Sequence, residues 1–249
     1  MKTSNKFLTS GLALFLTMIL AGMIYAKRHI KLTALDRNAA MTTDQKNLEP
    51  YHAIHVTGNY EVTLEPGNPH LRIEGTKEEV HNLLAEVKDG ILYLSPSNTN
   101  DNDIGSDQKI QVQYQSLDEI YLTGNGNIKA ENPIQTTGFE INLIGNGDIN
   151  THIISDNIKV QLTGNGNIRN EGSSKMLAIN LLGNGDIDFK DSETAETKIN
   201  LTGQGDIRIH CTTKITGNLT GNGRVIYSGE PVIQVDQIGN GEIEKDTEL

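Results

Sequence analysis

The chain has 249 residues, 36% apolar and only 4% aromatic, with no Trp, one Cys and a formal net charge of −11. Its length allows one or two domains, and so few aromatics predict neither a large aromatic core nor an aromatic sugar platform. So acidic a chain repels phosphate backbones and excludes nucleic acid as a partner, and its single cysteine excludes an intramolecular disulfide.

Lys2 and Lys6 precede an uncharged run over 7–26 that is rich in Leu, Ala, Ile and Phe. This is the pattern of a secretory signal peptide or a membrane anchor, with Ala26 as the candidate last residue of a cleaved leader. No cysteine follows the run, so a lipoprotein anchor is not expected. Residues 27–50 are polar and read as a linker from the membrane to the body. Residues 1–50 carry seven basic and three acidic side chains, a net of +4, which leaves −15 on residues 51–249. That field permits cations or basic partners, and its simplest consequence is solubility.

Residues 51–116 form a second segment. Ile54, Val56, Val62 and Leu64 alternate around Thr57-Gly58-Asn59, and Leu71 and Ile73 continue the strand character. Thr76 and Glu79 have capping-box spacing, and Val80, Leu83, Leu84 and Val87 lie at helical spacing, which predicts one short helix over about 77–87. Asp89-Gly90 turns the chain into a strand at Ile91-Leu92-Tyr93-Leu94. Residues 98–107 read as a polar loop, and Ile110, Val112 and Tyr114 as a further strand.

The segment 117–249 repeats itself. IYLTGNGNI (120–128), INLIGNGDI (141–149), VQLTGNGNI (160–168), INLLGNGDI (179–187), INLTGQGDI (199–207), GNLTGNGRV (217–225) and VDQIGNGEI (235–243) share one pattern. Their first glycines are Gly124, Gly145, Gly164, Gly183, Gly203, Gly221 and Gly239, so each coil takes 18–21 residues. Such a period marks a solenoid in which each unit stacks only on its neighbours. Ile120/Leu122, Ile141/Leu143, Val160/Leu162, Ile179/Leu181 and Ile199/Leu201 share one face, and Ile128, Ile149, Ile168, Ile187, Ile207, Val225 and Ile243 follow each corner. Stacked parallel coils about 4.8 Å apart would bury like on like in continuous columns. The glycines are structural corners where the chain turns sharply. The corner amides Asn125, Asn146, Asn165, Asn184, Gln204, Asn222 and Asn240 would form a structural ladder along the stacking axis. Cys211 alternates with Ile207 and Ile209 and reads as an inert core residue.

The strand around Gly58, the DGILYLS segment (89–95) and the run of L-x-G-N-G-x-I corners resemble the autotransporter-adhesin head GIN domain family over about 51–243. The resemblance implies an all-β fold, a single-stranded right-handed parallel β-helix with one short helix near its N-terminal end, similar in shape to pectate lyases. It also implies an exported protein of the bacterial cell envelope. The last two repeats depart from the pattern. Gly217 replaces the first inward aliphatic and Gln237 the expected Leu, which marks the C-terminal coils as loosely packed or as a cap.

Chemistry is sparse. The residue after the second glycine reads Asn127, Asp148, Asn167, Asp186, Asp206, Arg224 and Glu242. A glycine–aspartate calcium ladder needs an Asp in every short turn, so only Asp186 and Asp206 are weak metal candidates. Asp188, Lys190 and Asp191 lie near Arg208 and His210, the one grouping that a carbohydrate lyase or hydrolase could use. Histidines 29, 52, 55, 70, 81, 152 and 210 show no zinc spacing, and His52 and His55 would face opposite ways on a strand. The G-x-G corners lack the following helix of a dinucleotide site. No catalytic residue and no cofactor are assigned. The expectation is a non-catalytic, adhesin-like module that binds a protein or glycan through its faces, as a monomer or small homo-oligomer, with N-terminal membrane contact; a pectate-lyase-like enzyme is the alternative. Repeats of nearly constant length favour binding, because they leave little material to wall a groove. Charges at Glu242, Glu244, Lys245, Asp246 and Glu248 would discourage runaway stacking.

Overall fold

The computed structural model describes residues 41–97 and 108–246. The apolar run over 7–26, the first part of the linker and the polar loop at 98–107 lie outside the described residues. The chain from Thr42 onward is one compact unit.

That unit is a parallel β-solenoid. In the repeat region β8 (Glu119–Gly124), β10 (Ile134–Gly145), β11 (Asp148–Gly164), β12 (Asn167–Gly183), β13 (Asp186–Gly203), β14 (Asp206–Gly221) and β16 (Val232–Gly239) pair side by side, all parallel. The register matches like with like: Ile120, Ile141, Val160, Ile179 and Ile199 form one column, and Leu122, Leu143, Leu162, Leu181, Leu201 and Leu219 another. All are buried. Each such side chain removed from water contributes roughly 1.5–3 kcal/mol, repeated rung after rung. Several strands run for 16 to 18 residues, with register shifts after Arg169, Phe189 and Thr194.

The glycine corners explain the period's strictest letters. Gly145 has φ +134°, and a Cβ there would collide with the carbonyl oxygen of Gly124 on the rung beneath. Gly147 is needed for a different reason: its Cβ would lie 3.0 Å from Leu122 Cδ2 and closer still to Gly126 O. The corner bonds repeat as well, with Asn146 N–H donating to Gly124 O at 3.0 Å and Asp148 N–H to Gly126 O at 3.1 Å.

A second corner is built from small hydroxyls. Thr136, Ser155, Ser174 and Thr194 stack in register and are followed by Cys211. Ser155 Oγ donates to Asn157 O at 3.0 Å, Thr194 Oγ1 to His210 O at 2.9 Å and Cys211 Sγ to Lys214 O at 3.2 Å. The buried cysteine thus takes a hydroxyl's place at a bend. Inside, Asn170 is fully satisfied: its Oδ1 accepts from Thr151 and from Ile153 N–H, both at 2.9 Å, and its Nδ2 donates to Ser192.

The first segment does not follow chain order. β2 (Ala53–Gly58) and β3 (Glu61–Pro66) stack under β8 and β9 (Asn127–Lys129), with Gly58 paired to Gly124 and Val62 to Ile128. β6 (Ile91–Pro96) and β7 (Lys109–Tyr114) then lie on the far side of β2 and β3, also parallel. A rung later in sequence is therefore outside an earlier one. β4 (His70–Thr76) pairs antiparallel with β7, and β5 (Leu83–Lys88) antiparallel with β6. These reversed strands cover the edge that a parallel rung would leave unpaired.

Two expectations are corrected here. The helix, α1 (Lys77–Asn82), has its capping box, with Thr76 N–H donating to Glu79 Oε2 at 2.6 Å, but it ends at Asn82 and not near 87. Leu83, Ala85 and Val87 alternate as well as they fit a helix, and this parity lets β5 pack on the core while it pairs with β6. Asp89 and Gly90 supply the positive φ values of 52° and 78° that close the hairpin. Residues 41–47, expected within the linker, form β1 (Met41–Asn47), which pairs with β4. Its side chains are almost all exposed and polar, so no apolar alternation announced it.

At the other end, Gly217 sits over Ile199 with φ +139°, and Gln237 pairs with Leu219. The register survives both departures, but β16 leaves Val232 and Ile238 exposed.

Candidate functional site

The corner amides line the solvent side of the glycine corners. Asn125, Asn146, Asn165 and Asn184 are joined by bonds in which each Nδ2 donates to the Oδ1 below, at 2.8–2.9 Å. Asn59 continues the line at the N-terminal end, and Asn240 donates to Asn222 at 3.3 Å near the other. Gln204 interrupts it: its longer side chain makes no such link, although its backbone N–H still donates to Gly183 O at 3.0 Å.

The neighbouring column contains the two candidate metal carboxylates. Asp186 Oδ1 accepts the backbone N–H of Asp206 at 3.0 Å. Asp206 is gripped by Arg224 in a two-pronged ion pair of 3.2 and 2.5 Å, and Arg208 stands 3.6 Å away. The Asp206 carboxylate raises the Arg224 pKa by hydrogen bond and charge. Both carboxylate oxygens of Asp206 are thus engaged by the guanidinium. Among the described residues, no group of three or more His, Cys, Asp or Glu side chains is placed to hold a metal.

The acid–base grouping is divided. Asp188 pairs with Arg208 in register and accepts Lys190 N–H at 3.1 Å. Asp191 is taken by Arg169 at 2.8 Å, and His210 Nδ1 lies 2.7 Å from Ser228 Oγ. Lys190, Asp191 and His210 do line one shallow recess, together with Glu193. Asp191 and His210 already have partners on neighbouring rungs.

A further surface was not singled out from the sequence. The residue between the inward Ile and Leu of each repeat points outward, and these residues form a second amide column: Asn142, Gln161, Asn180, Asn200 and Asn218. Gln161 donates to Asn142 at 2.7 Å, Asn200 to Asn180 at 2.9 Å and Asn218 to Asn200 at 3.1 Å. Glu140 anchors one end by accepting from Lys159 at 2.9 Å, Gln161 at 3.0 Å and Asn142 at 3.1 Å. Burial alone would raise its pKa, but these donors outweigh it and hold the carboxyl below its ordinary value.

Towards the N-terminal end the same column turns aromatic. Tyr121 pairs with His55, and His55 with Tyr93, on three spatially consecutive rungs. The His55 ring centroid is 5.0 Å from that of Tyr121, with the planes tilted by 36°, and 5.3 Å from that of Tyr93, which it meets edge-on at 80°. His55 Nε2 lies 3.2 Å from Glu119 Oε1, and His52 Nδ1 lies 3.0 Å from Asp118 Oδ1. Only 4% of the chain is Phe, Trp or Tyr, yet two tyrosines and a histidine meet here. Folding gathers residues 55, 93 and 121 into one patch. The available signal was their shared middle place in Ile54-His55-Val56, Leu92-Tyr93-Leu94 and Ile120-Tyr121-Leu122. A shallow groove of about 510 Å³ borders the patch, lined by Glu119, Glu140, Lys159, Met176 and Lys198 among others.

Comparison with known proteins places this geometry. The family model described as "Putative auto-transporter adhesin, head GIN domain" matches residues 50–231. No curated protein matches. A solved structure described as a "putative adhesin" from Bacteroides fragilis is 25% identical, with TM-score 0.74 over 83% of this chain and 97% of that one. A "Putative lipid binding protein" from Parabacteroides distasonis is 23% identical, with TM-score 0.69 over 84% and 98%. A "putative adhesin" from Parabacteroides merdae is 19% identical, with TM-score 0.64 over the same shares. The last two bear on the fold alone.

Proposed function

This chain belongs to the auto-transporter-adhesin head GIN domain family, and from that premise we propose that it is a non-catalytic interaction module of the bacterial cell envelope. The module binds a protein or glycan through a solenoid face. One observation carries the reading: an unbroken outward column runs from Tyr93 through His55 and Tyr121 to the stacked amides ending at Asn218. Planar amides and rings at rung spacing form a broad, regular surface suited to an extended partner. The pairing of β11 with β12 runs from Asp148 to Gly164 with no loop long enough to wall a cleft, which supports binding over lyase chemistry. In this reading the segment over 1–26 directs export or holds the chain at the membrane, and residues 51–243 form the module. Its acidic C-terminal rung, with Glu242 and Glu244, keeps it a monomer or a small closed oligomer.

The test is to present the purified full-length chain to immobilised surface proteins and glycans and to assay the same polysaccharides for cleavage. Retention of a ligand without new reducing ends or unsaturated products is expected. Product release would overturn the reading in favour of a carbohydrate-active enzyme.

A further inference from the structure

We propose that the Tyr93–His55–Tyr121 cluster, with Glu119 and the Glu140–Asn142–Gln161 network beside it, is a saccharide-binding site that takes a neutral oligosaccharide along the stacking axis of the rungs. The inference rests on the interaction-module reading and names the ligand class and the place.

The first argument is where the aromatics go. Among the described residues Tyr51, Tyr60, Tyr114, Phe139 and Phe189 are buried, and Tyr227 packs against the core. The two aromatics left facing outward, Tyr93 at 37% exposure and Tyr121, both stand in this column. Further along, the column offers only amides. A chain so poor in rings places its outward pair on either side of a histidine, each one rung from it.

The second argument is the chemistry around the rings. A pyranose offers an apolar C–H face and a rim of hydroxyls. The rings match the face, since aromatic side chains give large, rigid, partly polar contact surface. The carboxylates of Glu119 and Glu140 and the amide of Gln161 match the rim, because each presents fixed oxygens or N–H groups at a part-exposed position, while buried Asn142 holds Glu140 and Gln161 in place. Glu119 is 31% exposed and held by His55, and Glu140 is oriented by three donors, so little further ordering is needed on binding.

The third argument is charge. Asp118, Glu119 and Glu140 border the patch, and Lys159 is paired with Glu140. On a chain of net charge −11 this disfavours a polyanionic glycan and favours a neutral one.

The experiment titrates the full-length chain with neutral gluco-, manno-, xylo- and chito-oligosaccharides and with oligogalacturonate, followed by calorimetry and tyrosine fluorescence. With no Trp, the emission reports on tyrosine alone. A neutral oligomer should bind and perturb the tyrosine signal. Tyr121→Ala and Tyr93→Ala should each weaken binding about tenfold or more. Tyr121→Phe, which keeps the ring, should retain most of the affinity, and Glu230→Ala, an exposed residue outside the column, should leave it unchanged. Melting curves identify any variant that fails to fold, and Tyr93→Ala, at the exposed ring, then carries the test. Binding that ignores the loss of both rings, or preference for oligogalacturonate, would overturn the site and leave the module reading standing. Retention of proteins but of no oligosaccharide would do the same. Failure to retain either class would remove both.

Discussion

The two ends of this solenoid are built on different rules. In the repeat stack, order in sequence is order in space, and each residue meets its own counterpart: Leu143 meets Leu122 and Leu162, and Gly145 meets Gly124 and Gly164. In the first segment unlike residues meet as well as like ones. Tyr121 lies on His55, and β6 and β7 pair outside β2 and β3 although Ile91 follows its partner Ala53 by 38 residues and Lys109 follows Glu61 by 48. The repeat stack propagates by nearest-neighbour contacts. The first segment has to close an edge, and it does so by reversing direction in β4 and β5. Regularity comes from repetition, while closure needs contacts that do not repeat.

The largest expected effect lies in the regular part. Leu162→Asp would bury an unpaired carboxylate between Leu143 and Leu181 and should cost about 3–5 kcal/mol, whereas Leu84→Asp on the exposed side of β5 should cost under about 0.5 kcal/mol. Equal melting temperatures for the two would break the contrast between column and surface. Next comes Gly145→Ala, which should cost more than about 2 kcal/mol, because φ +134° and the carbonyl of Gly124 both oppose a Cβ. Gly138→Ala, with open space at its Cβ, should be nearly neutral by the same denaturation assay.

The first segment should respond separately to alkali. Burial pushes the Tyr60 phenol up to about 12, against an ordinary 10.0. A raised folded pKa means that its contribution is fully present below pH 10 and is lost as pH rises towards 12. Burial and the neighbouring Tyr114 also push Tyr51 up, and burial raises Tyr114. Hydrogen exchange should therefore show β2 and β3 loosening in that window before β12 and β13; simultaneous loosening would contradict the comparison. A smaller effect belongs to the helix cap, where Thr76→Ala should cost about 1 kcal/mol and speed exchange at Glu79. The smallest is Gln204→Asn. Restoring the corner amide between Asn184 and Asn222 should raise stability by about 0.5–1 kcal/mol in a melting series.

Much of the repeat stack could be read in advance, because each coil's inward residues and corners are encoded within nine letters. The hairpin at Asp89-Gly90 and the capping box at Thr76 were legible for the same reason. The end of the helix was not, since Leu83 and Val87 satisfy helical and alternating spacing alike and only the bond partner β6 decides between them. β1 was hidden because a strand held by backbone pairing at an edge needs no apolar pattern. The candidate site was hidden too: residues 55, 93 and 121 share a triplet position, but nothing local says that rung 91–94 slides outside rung 53–58.

The amino-acid sequence by itself determined the period, the inward columns, the glycine corners and the acidic surface, all of which arise from contacts between a residue and its own repeat. Only the tertiary structure decided which rung lies outermost, where the helix stops, that Arg224 takes the carboxylate of Asp206, and that two tyrosines and a histidine share one exposed patch. Those outcomes depend on which distant backbone edge satisfies another, a choice made by loop closure and edge pairing, and no single segment contains it.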